Sequence, residues 1–207
     1  EQLVEFIQTV AAAGVVDFVV HARKADLSLN AARNRTVPPL RPEVVVSLVR
    51  DFPQLRFTLN GGVTSLEEVH SWIAKGVHGV MIGRRASAEP YLFAQWTPDN
   101  APTRSRSEVI QMYLEYAEGA QRSNFGGGHP ETLTRSLLAP LTNLFHNTAY
   151  GPAWRREVQA LFGRRDELRD TPIVELVRRC LRVCEIPDAF LEARPAACVA
   201  AAKAEVD

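Results

Sequence analysis

Lysine is nearly missing from this chain: of 24 basic residues only Lys24, Lys75 and Lys203 are lysine. The arginine that takes its place carries a planar fork suited to phosphate and base recognition, although a genome-wide compositional bias accounts for it equally well. Net charge is also missing, since 24 basic residues balance 24 acidic ones. Any nucleic-acid binding must therefore come from local patches. Cysteine is scarce and late, at Cys180, Cys184 and Cys198. An odd count builds no disulfide framework and the spacings match no zinc pattern. Cys180 and Cys184 share one face of an expected helix and read as core residues. No apolar run is long enough to cross a membrane, and no signal or transit pattern is visible, so a reducing, soluble compartment is expected, the cytoplasm or an organelle after processing. No pair of carboxylates stands at a strand end, which leaves hydrolase chemistry unsupported. Asp51, Glu67, Glu68 and Glu89 read as helix-surface and capping groups.

What is present divides into two kinds of sequence. Hydrophobic residues make up 46% and charged residues 23% of 207 positions, the proportions of ordinary folded protein, which excludes disorder throughout. Residues 1–97 alternate helix and strand. Leu3, Phe6, Ile7 and Val10 recur at helical spacing before Gly14, and Val15–Val20 is a strand. A helix follows over "RPEVVVSLVRDFP", then a strand over "LRFTLNGGV". "TSLEEVHSWIAKG" is a helix opened by a capping box from Thr64 to Glu67, and "VHGVMIGRRA" is a third strand. Short links between these elements predict a parallel sheet with right-handed crossovers, and the lack of strict alternation predicts cover on both faces.

Residues 98–207 contain no convincing strand. "TPDNAPTRSRS" reads as a linker, followed by helices at about 107–122, 131–146, 153–163 and 172–185, a small helical bundle with a frayed tail. Residues 150–182 hold eight arginines against five acids, with Tyr150 and Trp154 beside Arg155 and Arg156. Such runs are usually solvated helix faces, but the aromatic–cationic mixture also suits RNA.

Each strand runs into chemically loaded residues: His21-Ala22-Arg23, Asn60-Gly61-Gly62, and Gly83-Arg84-Arg85. In an α/β fold that rim is where ligands bind. Gly61-Gly62 exposes bare backbone N–H groups just before a capped helix, which suits an anion, and Arg84 adds a bidentate donor. A histidine at a strand end, His21, can hydrogen-bond a ring or phosphate oxygen. His70, His78, His129 and His146 read as surface, loop or helix-end residues. Three strands cannot close an eight-stranded barrel. The chain begins at Glu1, already inside an amphipathic pattern, so a piece of a longer protein is expected.

In their order and spacing, "FVVHARKA", "NRTVPPL", "DFPQLRFTLNGGVTSLEE", "GVMIGRRASAEPYL" and "NLFHNTAYGPAWRR" resemble the tRNA-dihydrouridine synthases, above all their A-type subfamily. The resemblance runs from about residue 5 to about residue 165 and is strongest over 15–93. It implies an α/β fold: the C-terminal part of a (β/α)8 TIM barrel over 1–97, its last three strands, followed by an all-α helical bundle domain that binds tRNA over 98–207. It implies FMN as cofactor, NADPH as reductant and tRNA as partner, with no membrane and no metal, in a protein that is a monomer when complete. The reaction implied is reduction of uridine to dihydrouridine in the tRNA D-loop. His21, Asn60, Gly61, Gly62, Gly83 and Arg84 are the implied FMN contacts. Arg23 is implied to face the substrate pyrimidine, with Lys24, Arg35 and Arg155 toward tRNA. Pro152 stands where the subfamily carries another arginine.

The family's glycine-rich first strand, its FMN-binding lysine and the cysteine that protonates the uracil ring have no counterpart in residues 1–207. On this reading the 207 residues alone neither reduce uridine nor hold FMN tightly. Two other readings stay open from sequence: another FMN-dependent TIM barrel, such as a dihydroorotate-dehydrogenase-like protein, and a non-catalytic RNA-binding module.

Overall fold

The structure is a computed structural model that describes residues 2–94, 96 and 103–195. Residues 97–102 of the expected linker, Cys198 and most of the expected frayed tail lie outside the described residues. Two compact units divide the chain, Glu1–Gly83 and Arg84–Asp207.

In the first unit helix α1 (Gln2–Ala12) leads to strand β1 (Asp17–His21), a short helix α2 (Ala31–Asn34) and α3 (Pro42–Asp51). Strand β2 (Arg56–Asn60), helix α4 (Leu66–Ala74) and strand β3 (Gly79–Met81) complete it. The sheet is parallel, in the order β1-β2-β3, as the short links require. Phe18, Val20, Phe57, Leu59 and Val80 turn toward α1, α3 and α4, and pack with Ile7, Val45 and Leu48. Full burial of a side chain such as Phe57 is worth about 1.5–3 kcal/mol. The opposite face is open: Val19 is 57% exposed and Met81 is exposed as well. The expected cover on both faces is therefore corrected to cover on one. The capping box is corrected by one residue: Ser65 accepts from Glu68 N–H, and the Glu68 carboxylate accepts from Ser65 N–H. The third strand ends earlier than expected, because Gly83 and Arg84 already begin helix α5 (Gly83–Ala88).

The described elements of the second unit are all helical. A 3-10 turn at Pro90–Ala94 precedes α6 (Arg106–Arg122), α7 (Pro130–Leu138), α8 (Gly151–Leu161), α9 (Arg165–Asp170), α10 (Ile173–Val183) and α11 (Asp188–Glu192). The single helix expected at 131–146 breaks into α7 and a 3-10 turn at Ala139–Asn143. Pro140 is the reason, since it lacks an N–H and its ring crowds the preceding turn. Helix α9 falls in a stretch read as a connection: it is almost wholly charged and buries only Leu168, so it carries no apolar period. The core centres on Trp154, fully buried, whose indole N–H donates to Leu141 O at 2.8 Å and whose ring meets Phe145 edge-on at 4.8 Å. A Cβ on Gly151 would lie 2.5 Å from the Phe145 carbonyl oxygen. "YGPAW" is thus in large part a packing motif. Tyr91 and Ala94 belong to this core as well, so the second unit begins well before the change in sequence character at 97/98.

Candidate functional site

The strand register decides which side chains meet. His21 pairs with Asn60, and Asn60 with Met81, at the carboxyl ends of the three strands. Register partners in a parallel sheet share a face, and this is the open one. Beyond Asn60 the chain turns through Gly61 at φ +129° and Gly62 at φ +76°, left-handed values that exclude most side chains. A Cβ on Gly61 would stand 3.7 Å from His21 Nε2 and 2.8 Å from Leu40 Cδ2, and one on Gly62 would also strike Leu40. The histidine ring and the glycine backbone are therefore immediate neighbours, roofed by Leu40. Among the described residues the N–H groups of Gly62 and Val63 have no acceptor. Gly83 lies just past the end of β3, and a Cβ there would meet open space. Arg84, exposed, opens the second unit.

The segment after His21 is braced. Arg23 pairs with Leu40 as an isolated bridge, and Arg41 N–H donates to Ala22 O at 2.7 Å. The Arg23 guanidinium donates through Nη1 to the Pro38 carbonyl, while its buried Nε has no partner. Arg23 thus spends one edge on holding the loop. Asn34 ties the loop across itself, accepting from Asp26 N–H at 2.8 Å and donating to Asp26 O at 2.7 Å and Leu29 O at 2.9 Å. Lys24 and Arg35 are exposed at either side. Hydrogen bonds from the Ser28 hydroxyl and N–H hold the Asp26 carboxyl below its ordinary pKa, so it stays an anion.

In the second unit half of the arginines of the basic stretch are neutralised. Arg164 and Arg179 pair with Glu167, Arg165 with Glu131, and Arg169 with Asp166 and Asp170. Arg155, Arg156, Arg178 and Arg182 have no ion pair among the described residues. Arg155 is oriented by Asn143 Oδ1 at 3.1 Å and His146 Nδ1 at 3.3 Å. Asn143 in turn donates to Ser87 O at 2.9 Å. His146, read from sequence as a helix-end residue, is therefore a brace for Arg155.

Residues 1–179 match the family model described as Dihydrouridine synthase (Dus). The chain belongs to the dihydrouridine synthase family. Its curated relatives include the tRNA-dihydrouridine(20/20a) synthase of Synechocystis sp., 42% identical over 161 residues, which is 75% of this chain and 46% of that protein. Those of Vibrio cholerae and Shewanella oneidensis are 40% and 38% identical over 76% and 75% of this chain, and 48% and 46% of their own lengths. The chain spans about half the length of the curated relatives it matches.

Against that family background, the two described cysteines are poor reagents. Burial pushes the Cys180 thiol up to about 11 and raises Cys184 too, the behaviour of inert core thiols. No cluster of metal-ligating side chains occurs among the described residues, and no helix among them is long and apolar enough to cross a membrane. Sequence reading missed the parts played by Leu40, Asn34 and Asn143. All three lie inside or beside the quoted motifs, but a leucine and two asparagines carry no distinctive chemistry until the loop they brace is seen.

Proposed function

We propose that this chain is the carboxyl-terminal part of a flavin-dependent tRNA-dihydrouridine synthase. Residues 1–97 would supply the last three strands of a (β/α)8 barrel, and residues 98–207 a helical tRNA-binding domain. One observation carries the reading. His21, Asn60 and the Gly61-Gly62 turn converge at the carboxyl rim of parallel strands, with unpartnered backbone N–H groups and a face left open beneath them.

Those features fit FMN. The left-handed Gly61-Gly62 turn offers a phosphate N–H donors with no side chains of their own, beside the Leu40 roof. Gly83 and Arg84, in the first turn of α5, add N–H groups without intrahelical acceptors, and Arg84 adds a guanidinium. His21 would hydrogen-bond the flavin ring and fix its orientation, with Asn60 beside it. Arg23 is assigned to face the substrate pyrimidine. Lys24, Arg35 and Arg155 would contact tRNA phosphates. When bound, FMN supplies hydride transfer to the uracil double bond, with NADPH as its reductant. Cys180 and Cys184, buried with raised thiols, are not candidate proton donors, and that acid is assigned to the other part of the barrel.

The test replaces the matching 161 residues of the Synechocystis relative with those of this chain. The chimaera is purified, its FMN is read by absorbance, and dihydrouridine is quantified by mass spectrometry in an unmodified tRNA transcript. Bound FMN and product formation, both reduced by Gly61→Val, support the reading. A folded chimaera without FMN, or with FMN but no product, overturns it.

A further inference from the structure

Between the two arms of the loop after β1 lies a hollow of about 540 Å³, of which the proposed function uses only Lys24. Lys24 and Leu27 line one arm, and Val37, Pro38, Pro39 and Arg41 the other. We propose that this hollow is a second nucleobase subsite. It takes one base unstacked from a single-stranded stretch of RNA, with the phosphate of that nucleotide at Lys24. The inference rests on the proposed RNA substrate and goes beyond it in naming where a second nucleotide binds.

Leu27 is 98% exposed and Val37 is 56% exposed. Single exposed apolar side chains are commonplace. Here two of them, from opposite arms, share one hollow with a pair of prolines. The volume is on the scale of a small-molecule site. The arms are also held apart in advance. The Asn34 hydrogen bonds close the first, the Arg23–Leu40 bridge and the Arg41–Ala22 bond fix the base of the second, and the Arg23 guanidinium clamps Pro38. A preformed apolar hollow loses little ordering entropy when a rigid planar ring enters it.

Charge selects the kind of ring. Lys24 has no acidic partner among the described residues, and Arg41 remains exposed despite its contact with Glu43 at 3.4 Å. The one acid in the lining, Asp26, is turned into its own loop, accepting from Ser28 N–H at 2.9 Å and from the Ser28 hydroxyl at 2.6 Å. An apolar floor with cations at its edge complements a base joined to a phosphate. An apolar peptide would use the floor and leave the cations unanswered.

The experiment measures affinity of the 207-residue chain for labelled pentauridylate and for the same backbone with an abasic central residue, by fluorescence anisotropy. Leu27→Ala is expected to weaken binding of pentauridylate about five- to tenfold and to leave abasic binding unchanged. Lys24→Gln is expected to weaken both equally and to lower the salt slope by about one. Because Leu27 lies wholly in solvent, its truncation leaves the fold intact, and circular dichroism checks this. Equal affinities of the wild-type chain for the two probes, or no effect of Leu27→Ala on either, overturn the subsite. Competition for Leu27 by an uncharged apolar peptide but not by pentauridylate overturns it in favour of a protein ligand. Should Leu27→Ala discriminate the probes while the chimaera with the Synechocystis relative makes no dihydrouridine, the subsite stands and the enzymatic reading falls.

Discussion

His21 stands beside Asn60 as its register partner, both at the carboxyl ends of neighbouring parallel strands and both on the open face of the sheet. His21 is exposed and outside the core, so the fold does not depend on it. His21→Ala is expected to change unfolding free energy by no more than about 0.5 kcal/mol, measured by urea denaturation. In the chimaera the same substitution is expected to weaken FMN retention about tenfold, the loss of one hydrogen bond of about 1.4 kcal/mol. A large stability loss with unchanged FMN would make His21 a structural residue.

Gly62 and Leu40 give a second test. Alanine at Gly62 would have to hold a left-handed conformation and displace the Leu40 side chain. The expected cost is about 1–3 kcal/mol in urea unfolding. Adding Leu40→Ala should recover the steric part and leave the conformational part. Strict additivity of the two substitutions would show that the pair does not touch in solution.

Charge reversal at Arg35 or Arg155 is expected to weaken tRNA binding and to flatten its salt dependence by about one unit of slope for each lost phosphate contact. Reversal at Arg169, already paired with Asp166 and Asp170, should do neither. Equal effects at all three would mean that these arginines act only through summed charge.

Cys180 and Cys184 should resist alkylation at pH 8 in the folded protein and react on unfolding, as read by peptide mass spectrometry. The sign follows from burial, which raises the Cys180 thiol from about 9 to about 11. In that window the folded state holds a proton that the unfolded state has released, so stability falls as pH rises from about 9 to about 11. Fast labelling at pH 8, or stability that rises through that window, would contradict a buried position.

Much of the fold was legible because its signals are local. Val-rich strands, a proline at the start of α3, the glycine after α4 and short links specify three parallel strands almost residue for residue. The places of His21 and Asn60 were legible for the same reason, since β1 and β2 end on them, whereas β3 ends at Met81 and Gly83 and Arg84 fall in helix α5. What could not be read depends on tertiary context. The open face looks no different in sequence from a covered one, because Val19 and Phe18 are both apolar and only packing separates them. Arg155 and Arg169 look alike until their partners are known, one braced by Asn143 and His146 and the other neutralised by two aspartates. Arg23, expected to face the pyrimidine, spends one edge on the Pro38 carbonyl, a long-range contact that no spacing rule reveals.

The central claim is that the backbone at Gly61 and Gly62, next to His21, is built to hold the phosphate of FMN. The most direct measurement is an amide nuclear magnetic resonance titration of the 207-residue chain with FMN, which reads even weak binding at single N–H groups. The account predicts that Gly61, Gly62, Val63 and Gly83 shift together along one saturation curve, and that riboflavin, which lacks the phosphate, moves them far less. Those four amides standing still while FMN shifts residues elsewhere, or riboflavin matching FMN, would contradict it.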